Sequence, residues 1–235
     1  YTTEEIWAVA NNSDNEWEVV DNDHKIKICS HKRRSREVLP EWADKNLPRH
    51  LKNGFARIKT VETKNKLLGA VGAGEFGGGL YEIDKVSGNC ELLSKGNFNE
   101  IVKTDSGIVT LSGLAHMSSD SGVAKSYKTD ADGNLRLEKS INLGSEPNAF
   151  CWCGNEHILV VTHNSLILLQ VDLKCAVKVM DTHLSGIYPN SITLFGKSNI
   201  LIGCRHAVIK LIWENGNYKE TWMIHADDVE RKPPA

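Results

Sequence analysis

Four stretches of this chain repeat one another about 43 residues apart, and each is composed of strand patterns alone. They are Gly79-Leu-Tyr-Glu-Ile-Asp84 with Cys90-Glu-Leu-Leu93, and Gly122-Val-Ala-Lys-Ser-Tyr127 with Leu135-Arg-Leu-Glu138. Ser165-Leu-Ile-Leu-Leu-Gln-Val-Asp172 with Val177-Lys-Val-Met180 comes next, and then Ala207-Val-Ile-Lys-Leu-Ile212 with Lys219-Glu-Thr-Trp-Met223. A unit of this size cannot bury its apolar faces by itself, so successive units must stack on one another.

A second landmark keeps the same period. Asn148 follows Pro147 and Asn190 follows Pro189, and apolar runs come shortly after each, Ile158-Leu-Val-Val161 and Ile200-Leu-Ile202. Asn99 with Ile108-Val-Thr-Leu111 fits one repeat earlier. The Pro-Asn pair sets a tight entry turn before a first strand. Each unit therefore holds four short strands, with the fourth free to be polar because it lies on the rim. This is the pattern of a β-propeller blade.

The first fifty residues are less regular but also offer strand-like segments at Ile6–Val9, Trp17–Val20, Lys25–Ile28 and Arg36–Leu39. Between Leu39 and Pro48 the pattern changes to that of a short helix, with one proline near its start and another at its end. With that helix treated as an insertion, the expected fold is all-β: a five-bladed β-propeller forming a single domain over 1–235. Its blades are expected at roughly 1–39, 55–95, 99–143, 148–181 and 190–225, with the helical insertion at 39–48.

Composition fits one domain with a sizeable core: 235 residues, 40% of them hydrophobic. The formal net charge of −2 supplies no bulk attraction to nucleic acid or membrane. No apolar run has the length of a membrane span. The cysteines, Cys29, Cys90, Cys151, Cys153, Cys175 and Cys204, are scattered over different units. Disulfide frameworks serve small, core-poor domains, so reduced thiols and a cytoplasmic location are expected.

Several motifs resemble chemistry that their context does not support. Gly72-Ala-Gly-Glu-Phe-Gly77 spells a dinucleotide-binding loop, but it leads into an alternating strand instead of a helix. A hairpin between two strands of a blade is expected there. Asp130-Ala-Asp-Gly-Asn134 has the composition of a calcium loop without its spacing, and reads as a hairpin turn. Cys151-Trp-Cys153 places two thiols on one strand face but lacks a second cysteine pair to complete a zinc site. No cofactor is expected.

Two groups of residues remain as candidates. Glu75, His116, His163 and His206 occupy the segment between the second and third strands of successive units. Arranged around one end of a channel, they could bind a metal or move protons; the alternative is four ordinary surface-loop residues. The basic run around Arg33, Arg34 and Arg36 sits in the first unit, where it can meet a phosphate backbone or an acidic protein surface, or simply form a solvated turn. Trp152, Trp213 and Trp222 lie in strand patterns and are expected in the core. Trp17 and Trp42, in the irregular first unit, are expected as exposed anchors for a partner.

The repeat resembles those of the β-propeller families over essentially the whole chain, without the Trp-Asp and Gly-His pairs of the best-known subclass. Gly74-Glu-Phe-Gly-Gly-Gly-Leu-Tyr81 with Gly113-Leu-Ala-His116 is similar to divergent bacterial propellers. The size and the lack of a catalytic motif also resemble immunity proteins of contact-dependent growth-inhibition systems. The resemblance implies a non-enzymatic binding platform, a monomer that joins a heterocomplex with another protein such as a cognate toxin or nuclease. The loops 72–78, 113–121 and 183–189, with 31–54, would supply the surface. The alternative is a propeller hydrolase or lyase with the histidine set at its channel mouth.

Overall fold

The computed structural model describes residues 8–11, 15–22, 25–32, 40–52, 56–130, 134–196 and 198–224. They form an all-β, propeller-like structure of antiparallel sheets, each strand hydrogen-bonded to its neighbour in sequence. Blade I contains β4 (Arg57–Glu62), β5 (Lys66–Gly72), β6 (Gly78–Asp84) and β7 (Cys90–Lys95); these follow a first sheet of β1 (Ala8–Asn11), β2 (Asn15–Asn22) and β3 (Lys25–Lys32). Blade II contains β8 (Phe98–Thr104), β9 (Gly107–His116), β10 (Ser119–Thr129) and β11 (Leu135–Asn142). Blade III contains β12 (Pro147–Trp152), β13 (His157–Thr162), β14 (Ser165–Gln170) and β15 (Ala176–Asp181). Blade IV contains β16 (Ser191–Phe195), β17 (Asn199–Gly203), β18 (Ala207–Glu214) and β19 (Asn217–Ile224).

Alternation along the middle strands explains the stacking. In β5, Leu68 and Ala70 face blade II, where they join Phe98, Ile101, Ile108 and Tyr127. In β9, Val109 and Leu111 point the other way, toward Ile158, Val160, Ile167 and Leu169 of blade III. In β13, Leu159 and Val161 meet Ile192, Ile200, Ile202 and Ile209 of blade IV. Successive side chains on a strand point to opposite faces, so a strand pressed between two blades must be apolar at nearly every position. This accounts for the unbroken runs that mark the repeat. The outer strands β7, β11, β15 and β19 are largely exposed.

Expectation and structure part at the first unit. Among the described residues, four four-stranded blades form where five were expected. The first sheet has three strands, and the segment expected to supply a fourth, Arg36–Leu39, lies outside the described residues. The first sheet packs on blade IV: fully buried Val19 joins Phe195, Leu201 and Val208. The face of blade I that points away from blade II is covered by a helix, α1 (Glu41–Asn46), and the single 3-10 turn after it (Arg49–Lys52). Trp42, Ala43, Leu47 and Leu51 pack there on Val71, Ala73, Tyr81 and Ile83. Gly69 permits this contact, because a methyl group at that position would overlap the Trp42 indole. An apolar blade face needs cover, and here a helix provides it.

The tryptophan expectations are reversed. Trp42, expected to be an exposed anchor, is 8% exposed, while Trp152, Trp213 and Trp222, expected in the core, are 43%, 48% and 40% exposed. The strand patterns around them are real, but Trp213 and Trp222 lie on the rim hairpin of blade IV, where no further strand covers them among the described residues. The described cysteines, Cys90, Cys151, Cys153, Cys175 and Cys204, are free. Burial pushes the Cys151 and Cys204 thiols up to about 12, which keeps them protonated and unreactive at neutral pH. No helix among the described residues is long and apolar enough to cross a membrane.

Candidate functional site at the loop end of the blades

In an up-and-down four-stranded blade, the turn between strands two and three and the link to the next blade lie at the same end. Hydrogen bonds join these segments from blade to blade. Asn97, in the link between blades I and II, accepts from the Gly74 amide at 2.9 Å and donates to the Gly113 carbonyl at 2.6 Å. Asn99 begins the inner part of β8, and its amide donates to the Pro147 carbonyl of blade III at 2.7 Å and to Glu146 Oε1 at 3.2 Å. The Ala115 amide donates to Glu146 Oε2 at 3.0 Å. Asp120 accepts from the Glu146 amide at 2.7 Å, Ser145 Oγ at 2.8 Å and Asn164 Nδ2 at 3.1 Å. On the far side, the Arg205 amide donates to the Ile187 carbonyl at 2.7 Å.

The network stiffens the loop end and leaves large side chains on its surface. Phe76 is 61% exposed, Met117 95% and Tyr188 51%. The Arg205 guanidinium lies over the Tyr188 ring, 4.2 Å from its centroid. Met117, Tyr188 and His206 hold positive φ values of 53°, 49° and 66°. Leu173 and Asn215, in turns between the third and fourth strands at the other end, share this conformation, so it is not confined to the loop end.

Of the histidine set, one pair comes together. His116 Nε2 is 3.0 Å from Glu75 Oε2, bridging blades I and II. His163 sits beside Glu146, with its backbone amide donating to the Glu146 carbonyl. His206 is in the turn between β17 and β18. Among the described residues no three His, Cys, Asp or Glu side chains are placed to hold one metal ion. The four residues therefore share one end of the molecule without forming a metal shell. Glu146, which sequence reading missed, ties the Ala115 amide and the Asn99 side chain to the start of blade III. Burial pushes its carboxyl up, opposed by the Ala115 amide, the Asn99 side chain and the charges of Arg57 and His163.

Arg33, Arg34 and Arg36 lie outside the described residues, and Trp17 is in β2 with its side chain outside them. Gly74–Phe76 forms a single 3-10 turn between β5 and β6, as expected of a hairpin and not of a phosphate-binding helix start. Asp130 Oδ1 accepts from the Asn134 amide at 2.9 Å, and its Oδ2 meets Arg136 Nε at 2.9 Å, a turn held by local bonds.

Between the β5–β6 turn and the β9–β10 hairpin runs a cleft of about 370 Å³. Its lining includes Gly74, Gly77, Gly96, Gly113 and Gly122, with Glu75 and Asn97. A side chain on Gly122 would run into the Ser145 carbonyl, so close stacking of blades II and III requires glycine there.

No family model and no curated protein matches the chain. Solved structures do. The AfRom2 CNH domain aligns at 13% identity over 96% of this chain and 74% of that one, with a TM-score of 0.50. The extracellular domain of a hybrid two-component system from B. thetaiotaomicron aligns at 15% identity over 95% of this chain and 28% of that one, TM-score 0.50. A streptogramin B lyase aligns at 13% identity over 73% of this chain, and the match spans 55% of the lyase chain, TM-score 0.45. At these identities the likeness is one of fold, and the chain has a propeller-like all-β architecture.

Proposed function

We propose that the protein is a non-enzymatic platform that binds another protein through the loop end of its blades. The observation that carries this reading is the exposure of Phe76, Met117 and Tyr188 at one end of the blades, with Phe76 and Met117 on turns that Asn97 and Glu146 tie to neighbouring segments. Large apolar and aromatic side chains held on a rigid frame act as binding anchors at low entropic cost. Of the segments expected to specialise, 72–78, 113–121 and 183–189 carry these residues; in the fourth, 31–54, Trp42, Leu47 and Leu51 are buried on blade I and 33–39 lies outside the described residues.

The test compares partner capture by the parent and by the triple variant Phe76→Ala, Met117→Ala, Tyr188→Ala. A control carries Val86→Ser and Trp152→Ala at the other end of the blades. Central contacts contribute about 2 kcal/mol each, so the triple variant should lose a partner that the control retains. Equal capture by all three proteins overturns the reading. A toxin-neutralising immunity protein is the narrower proposal within this class. Co-purification of a small toxic partner, whose activity is suppressed in the complex, supports it.

One observation favours a second reading, an enzyme with its site at this end: the Glu75–His116 contact, a carboxylate beside an imidazole. Loss of a measurable turnover in His116→Ala and His163→Ala would select it over the binding platform.

A further inference from the structure

We infer that a second cleft, at the end of blades I and II opposite the loop end, binds a small phosphoryl-bearing anion. The site is independent of the loop-end platform, so the two readings stand or fall separately. The cleft has a volume of about 370 Å³. Three stretches far apart in sequence line it: 63–64 in the β4–β5 turn, 103–108 around the β8–β9 turn, and 128–129 at the end of β10.

Contacts within the protein already set the walls. Lys103 Nζ donates to the Glu62 carbonyl at 2.9 Å and so joins blade II to blade I. Thr63 and Thr104 close their own turns by donating to the Lys66 carbonyl at 3.1 Å and the Gly107 carbonyl at 3.2 Å. A side chain on Gly107 would overlap the Tyr127 carbonyl, so the β8–β9 turn lies tight against β10. That contact sets Ser106 into the same cleft as Lys128 and Thr129.

The lining selects the occupant. It holds Lys64, Lys103 and Lys128 against one acid, Asp105, and is net positive in a chain whose formal net charge is −2. A cleft lined mainly by one sign of charge concentrates ions of the other. Lys64 enters no ion pair among the described residues, and Lys103 has further N–H groups beyond the one on the Glu62 carbonyl. Lys128 pairs with Glu138 in an exposed contact of little strength, which a ligand can replace. Ile108 is the only aliphatic hydrophobic residue of the lining and no aromatic ring is part of it, which disfavours a stacked base or a lipid chain. Lysine serves as a point charge for phosphoryl oxygens, whereas the lining holds no arginine fork to match a carboxylate. The hydroxyls of Ser106 and Thr129 supply further donors.

The experiment titrates ¹⁵N-labelled protein at neutral pH with pyrophosphate, with a capped phosphoserine peptide and with citrate, a carboxylate of similar charge to pyrophosphate. It follows the amides of Ser106, Gly107 and Thr129. Pyrophosphate or the phosphopeptide should shift these amides saturably, and the tighter of the two identifies the source, a free anion or a modified protein. Lys64→Gln and Lys103→Gln should each weaken that binding about threefold to fivefold, the scale of an exposed charge pair, and Asp105→Asn should tighten it. Lys64, Lys103 and Asp105 are exposed, so these replacements leave the blade cores in place. Citrate binding as tightly as the phosphoryl ligand, no saturable shift at these amides, weaker binding in Asp105→Asn, or unchanged affinity in the Lys64→Gln, Lys103→Gln double variant overturns the inference.

Discussion

Trp42 and the pair Trp213 and Trp222 show what makes a tryptophan structural in this molecule. Trp42 comes from a six-residue helix with no side-chain N-cap, yet it is buried against Tyr81, with ring centroids 6.0 Å apart, over a glycine that leaves room for it. Trp213 and Trp222 come from strong strands of blade IV and remain about half in water. Trp213 packs edge-on against Tyr218 at 4.9 Å, and the Trp222 indole donates to Glu220. Regular secondary structure does not by itself bury a side chain. A blade face is buried when something lies across it, and the rim of the last blade has nothing across it among the described residues.

The contrast can be broken most directly at Trp42. Replacing it with Ala should cost about 3–5 kcal/mol, the range for deleting a buried large aromatic, because the face of blade I loses its cover. Urea denaturation checks this, and a loss below about 1 kcal/mol would mean that α1 only rests on the blade. Replacing Trp213 or Trp222 with Ala should cost far less, about 1 kcal/mol or under, since each already meets solvent. A loss at Trp222 equal to that at Trp42 would place it in a contact the contrast does not allow for.

The smallest effect concerns a buried charge on the blade I–II side. Burial pushes the Glu100 carboxyl up, with Lys59 at 3.8 Å and Arg57 opposing. A carboxyl whose folded pKa is raised contributes most to stability when protonated, below its unfolded pKa. That contribution is lost as pH rises through the raised value. The stability of Glu100→Gln relative to the parent should therefore increase as pH rises through and above the ordinary carboxylate range. A gap that stays constant with pH would show that Lys59 and Arg57 fully compensate the burial.

Much of the fold was legible because burial on two faces leaves a linear trace. Runs such as Leu67–Val71, Ile158–Val161 and Ile200–Ile202 are apolar at successive positions, and their spacing repeats. The turns were legible for a similar reason: Asp84 Oδ1 caps its own turn by accepting from the Val86 and Ser87 amides, a bond made within four residues. The candidate site was legible only in part. The loops were identified from their position in the repeat, and Glu75 with His116 came from that frame. Glu146 and Asp120 carry no local mark, since their partners lie on other blades. The blade count was misread because α1 takes up a face that a regular repeat would give to a neighbouring sheet.

The amino-acid order by itself determined the strand-only repeat, the four regular blades, the polar rims and the free choice left to the loops. All of these follow from contacts between near neighbours or from uniform burial of a strand. Only the tertiary structure decided which tryptophans are core, that Glu75 meets His116, and that Asn97 and Asn99 tie blades together across 23 and 48 residues of chain. Those outcomes depend on how one blade lies against the next. The stacking sets distances between residues far apart in sequence, and no period along the chain encodes them.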